Sequence, residues 1–168
     1  MNLRETILAE HSKKQTLKIV KYIGNDQQRF DELMKLFLES EYRITQRAAW
    51  PVSYVAVAYP DLIKKHLRKI IVNLKSPVHD AVKRNTIRLL QFIELPVSLH
   101  GITAAICFQF LNDQEEPIAV KVFSMTVLNN LCKRHPELKK ELKLSIEAQL
   151  PYASKGFQSR AKKIFKTL

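Results

Sequence analysis

A recurrence of 37 to 39 residues constrains this chain more than any other feature. Arg47, Arg84, Lys121 and Arg160 each open an apolar run, at intervals of 37, 37 and 39 residues. Phe37, Leu74, Leu111 and Leu150 close the preceding run at the same intervals. Turn signals share the phase: Gly24-Asn25-Asp26, Pro60-Asp61, Pro96-Val97-Ser98 and Pro136-Glu137. A repeat of this length is one supersecondary unit, which covers its apolar face by stacking on its neighbours. With only three glycines, the chain is poor in material for hairpins or phosphate loops, and its seven prolines are spread out.

Each unit reads as helix, short turn, helix. First helices are predicted over 27–39, 61–75, 98–112 and 137–149, and second helices over 44–58, 79–93, 117–133 and 156–167. An orphan second helix is expected over 14–23, so that the units run approximately 1–24 (partial), 25–60, 61–96, 97–135 and 136–168 of a single domain. Ser12 to Gln15 is a capping-box pattern, Ser98 suits an N-cap, and Pro117 stands where a first-turn proline is tolerated. Ile63, Leu67, Ile70 and Leu74 form an apolar stripe at helical spacing, as do Phe157, Ala161, Ile164 and Leu168.

The segment from Leu33 to Ala49, LMKLFLESEYRITQRAA, resembles the core pattern of HEAT repeats, and looser copies lie at Leu74–Thr86 and Leu111–Phe123. The resemblance implies an all-α fold, a right-handed α–α superhelix of about four helix pairs whose second helices line a concave binding face. The stripe so implied comprises Arg43, Arg47, Trp50, Tyr54, Arg84, Arg88, Gln91, Lys121, Arg160 and Lys163, with Met125 beside them. Arginines interleaved with aromatic rings suit phosphate contacts and stacking. The resemblance also allows a structural role, in which the phased basic residues form a ladder with Glu41, Asp80 or Asp113. Trp50 is the only tryptophan and fits either a groove or the core, and Pro51 should kink its helix.

The formal net charge of +12 suits a polyanionic or acidic partner, and equally a basic solvated face. Residues 121–168 hold eleven Lys/Arg against three Asp/Glu. The basic clusters Lys64/Lys65/Arg68/Lys69 and Lys139/Lys140/Lys143 fall on first helices, away from the stripe, and Lys162/Lys163/Lys166 form a third at the end of the chain.

No catalytic constellation is present. His11, His66, His79, His100 and His135 show no paired ligand spacing, and there is no HExxH, GxSxG, P-loop or GxGxxG. No metal or cofactor is therefore expected, and the repeated His-Glu ligands of HEAT-like hydroxylases are missing. Cys107 and Cys132 read as core thiols of a reducing compartment. The start of the chain lacks a signal-peptide pattern and no apolar run is long enough to span a bilayer, which points to a cytoplasmic protein without membrane insertion. A more distant resemblance, to HEAT-like DNA alkylation-repair glycosylases, rests on Arg47, Trp50, Tyr54, Arg84 and Arg88, but no Asp or Glu aligns within the stripe. The sequence thus supports a non-catalytic scaffold that presents a concave surface to a macromolecule, a protein being favoured. The alternative is a nucleic-acid binder related to those glycosylases, without base excision.

Overall fold

The computed structural model describes residues 1–39 and 41–168, with residue 39 described by its backbone alone. Ser40, in the expected turn between the first long helix pair, lies outside the described residues. The described residues contain helices and turns and no strand. Two compact units divide the chain, Met1–Ile93 and Glu94–Leu168.

The first unit opens with α1 (Leu3–Ala9) and α2 (Lys13–Ile23). Each begins on a side-chain cap: Asn2 accepts from the Glu5 amide and Ser12 from the Gln15 amide. The Gln15 side chain does not complete a capping box but donates to the Thr6 carbonyl, 2.6 Å away, tying α2 to α1. Gly24 ends α2 at φ +53° with its amide on the Val20 carbonyl. The chain then forms α3 (Gln27–Glu39) and α4 (Tyr42–Ala58), which pack on each other. Next come α5 (Pro60–Ile63), a 3₁₀ turn (Lys64–His66) and α6 (Leu67–Asn73), followed by α7 (Asp80–Leu90), which lies along α4. The expected 61–75 stripe is in place, with Ile63, Leu67, Ile70 and Leu74 all buried.

The second unit comprises α8 (His100–Asn112), α9 (Ile118–Cys132), α10 (Leu138–Glu147) and α11 (Lys155–Phe165). Helix α9 packs against α8, α10 and α11. Its neighbour α8 is apolar almost all round, burying Ile106, Cys107, Phe108, Phe110 and Leu111, as a central helix should. Ser98, expected as an N-cap, sits exposed in a 3₁₀ turn (Val97–Leu99), and α8 starts two residues later. Both cysteines are buried and free, and burial pushes the Cys107 thiol up to about 12.

Candidate functional site

Helix α4 buries Ile44, Ala48, Ala49, Val52, Val55 and Ala56, which turns Arg43, Arg47, Trp50 and Tyr54 to its opposite edge at i, i+4, i+7 and i+11. The sequence places these four together for that reason. Trp50 is half-buried and meets two rings edge-on, His11 at 6.0 Å and Tyr54 at 6.1 Å between centroids. The neighbouring α7 brings Arg88 across: its guanidinium stands 4.8 Å from the Tyr54 centroid and donates to Ser53 Oγ at 2.7 Å. Arg47 reaches in the other direction, donating to the Leu8 carbonyl at 2.7 Å near the end of α1. His11, Trp50, Tyr54 and Arg88 thus form a continuous, half-open row on the first unit, and Arg43 and Arg84 flank it, exposed. Gln91 folds back, its amide donating to the Arg88 carbonyl of its own helix.

In the second unit the expected stripe divides. Lys163 is exposed, Arg160 is half-buried and donates to Thr126 Oγ1, and Lys121 is buried with its ammonium on Gln149 Oε1 at 3.1 Å. Lys121 therefore does not stand on an exposed stripe but in the wall of a cavity, and Met125 is wholly buried. The reason is the helix's central place: α9 packs against α8, α10 and α11, and its phase-locked lysine is buried among them.

Two of the phased basic residues, Arg47 and Lys121, are held by neutral acceptors rather than by carboxylates. Arg47 takes a backbone carbonyl, Arg88 a hydroxyl and Lys121 an amide, while Glu41 pairs with Arg4 at 2.8 Å and Asp113 caps the Glu115 amide.

Histidines make a one-repeat contact in each unit. Asp31 accepts from His66 at 2.7 Å and from Lys65 at 2.6 Å, and His100 contacts His135 at 2.9 Å. Because His100 Nε2 donates to the Leu95 carbonyl, its Nδ1 is the acceptor for His135 Nε2–H. Asp31, His66, His100 and His135 stand at intervals of 35, 34 and 35 residues, so these histidines are phased rather than scattered. That spacing was visible in the sequence; a search for metal-ligand pairs passes over it. No group of three or more His, Cys, Asp or Glu side chains gathers as for a metal among the described residues.

Many side-chain hydrogen bonds between distant segments fall at separations near one repeat, although Lys121–Gln149 and Lys139–Leu168 span only 28 and 29 residues. Thr126–Arg160 spans 34 residues, Ser53–Arg88 and His100–His135 span 35, Leu111–Gln149 and Asn129–Thr167 span 38, and Leu8–Arg47 spans 39. Residues meet their counterparts one repeat away, as a stack of units of that length requires. A family model of the HEAT repeat domain matches residues 3–168.

The chain belongs to the HEAT repeat family.

No curated protein and no solved structure matched it. HEAT repeats generally mediate protein interactions. In this HEAT-repeat chain, no helix among the described residues is long and apolar enough to cross a membrane.

Proposed function

We propose that this chain is a non-catalytic binding module that offers the Trp50–Tyr54–Arg88 row, flanked by Arg43 and Arg84, to a protein partner. The observation that carries this reading is how its cations are used. Arg47 and Arg88 are tied to internal acceptors, so they stiffen the aromatic row instead of reaching outward. Pre-ordered aromatic side chains beside a few free arginines match the anchors of protein interfaces, which are rich in Trp, Tyr and Arg. Nucleic-acid binding would draw on many free cations, each released counterion steepening the salt dependence. Among the described residues of the row and its flanks, Arg43 and Arg84 are the exposed arginines.

Trp50 is the sole tryptophan and so reports directly on the surface. Partners captured from cell extract would be purified and titrated against Trp50 fluorescence. Saturable quenching is expected, weakened about tenfold by Arg84→Glu, with the circular dichroism spectrum unchanged. A purified partner that binds without disturbing Trp50 and ignores Arg84→Glu would place the interface elsewhere. Short single- and double-stranded DNA would be titrated alongside. Sub-micromolar DNA affinity with a steep log–log salt slope would transfer the row to nucleic acid.

A further inference from the structure

Buried deeper than the aromatic row is a cation held by a neutral acceptor. Lys121 is 6% exposed, donates to the neutral Gln149 Oε1, and forms no ion pair among the described residues. A buried ammonium is costly unless compensated, and one neutral hydrogen bond meets one of its three donors. It does not face a packed core. Lys121 lines an open cavity of about 450 Å³, together with Gln114, Gln149, Ser154, Ile118 and Tyr152. Gln149 is itself held in place, because its amide nitrogen donates to the carbonyls of Leu111 at 2.7 Å and Ser145 at 3.1 Å. Its oxygen is thereby fixed toward the lysine.

Another part of the lining is the start of α11, an eleven-residue helix. Ser154 and Phe157 border the cavity, and Ser154 Oγ accepts from the Phe157 amide at 3.3 Å while the Ser154 carbonyl accepts from Gln158. The Lys155 and Gly156 amides between them have no acceptor within the helix, and the helix dipole adds positive potential there. A buried ammonium on one wall and a helix start on another describe a receptor for an anion.

The rest of the lining sets what the anion is attached to. Ile118 and Tyr152 are exposed at 45% and 94%, and Ala148, Ala153 and Phe157 supply apolar wall. One ammonium and one dipole match a single negative charge. A dianionic phosphate would leave a net negative charge in a desolvated site. We propose that this cavity receives the carboxylate of an acidic side chain on a partner protein, with an adjoining aromatic or aliphatic residue lying against Tyr152 and Ile118. This rests on the protein-binding reading above and places a second contact on the second unit.

The test uses the whole chain and small probes, so it does not depend on finding the partner. ¹⁵N-labelled protein would be titrated with N-acetyl-Glu-Phe-amide, with the isosteric N-acetyl-Gln-Phe-amide, and with phenyl phosphate. The acidic dipeptide should shift the Lys155 and Gly156 amides and the Gln149 side-chain amide saturably. The neutral one should bind at least about tenfold more weakly. Lys121→Met, which keeps the length of the side chain and removes its charge, should abolish the difference between the two dipeptides. Equal shifts from both dipeptides, or none, overturn the proposal on wild-type protein whatever the variant does, and so does tighter binding of phenyl phosphate. Such a failure would leave the Trp50 titrations untouched, because they read the first unit.

Discussion

Asp31 lies on α3 with 35% of its side chain open to solvent. Burial alone would raise its pKa, but hydrogen bonds from Lys65, Gln27 and His66 and the Lys65 charge outweigh it and hold the carboxyl at about 2. A depressed carboxylate pKa contributes stability that is complete above the unfolded value and disappears as pH falls through the folded one. Solvent screening at a site this exposed reduces the gain to about 1 kcal/mol. Asp31→Asn should therefore lower stability by that amount near neutral pH. The gap from wild type should close between the ordinary value of 3.8 and about pH 2. Urea midpoints at pH 7, 4 and 2 check this, and a gap that survives unchanged at pH 2 would mean that packing, not charge, is responsible. The residue scale is where the sequence was least legible. Arg43, Trp50 and Tyr54 could be placed together because helical spacing alone aligns them. The fate of Lys121 depended on which neighbours cover α9, and no local pattern carries that information.

At the scale of elements, two glycines should respond in opposite directions. Gly24 closes α2 at φ +53° and ψ −138°, a conformation nearly reserved for glycine, so Gly24→Ala should cost about 1–3 kcal/mol. Gly101 is exposed in the first turn of α8, and an added Cβ there meets nothing within 4 Å. Gly101→Ala should stabilise by about 0.5–1 kcal/mol. Equal effects in denaturant melts would contradict both backbone readings. The same local physics explains which elements were legible. Helices α3, α4, α7 and α9 were predicted to within a few residues because apolar periodicity and turn residues agree there. Helix α1 was missed, although Asn2 and Glu5 repeat the spacing by which Ser12 and Gln15 announce α2. The 61–75 helix is interrupted by a 3₁₀ turn at Lys64–His66, where the consecutive Lys65 and His66 both reach Asp31. That break answers to a partner 34 and 35 residues away, so periodicity within the segment could not reveal it.

On the scale of the whole molecule, the repeat phase was legible because three markers shared it, and a HEAT repeat family model matches residues 3–168. Charge is spread across both compact units: residues 1–93 hold seventeen Lys/Arg against nine Asp/Glu, and residues 94–168 hold eleven against seven. Neither unit is an acidic counterweight to the other. One repeat pattern continues past Ile93 without a Gly/Ser-rich or proline-rich linker. In repeat arrays stability is a sum of unit and nearest-neighbour terms, and a short uninterrupted array unfolds together. We propose on that ground that residues 1–168 act as a single domain. Trp50 fluorescence reports the first unit alone, whereas far-UV circular dichroism reports helices of both. In urea the two signals should give coincident transitions with one midpoint and one slope. A second dichroism transition that Trp50 does not follow would show two units folding independently, and the row on the first unit and the Lys121 cavity on the second would then serve as separate binding modules.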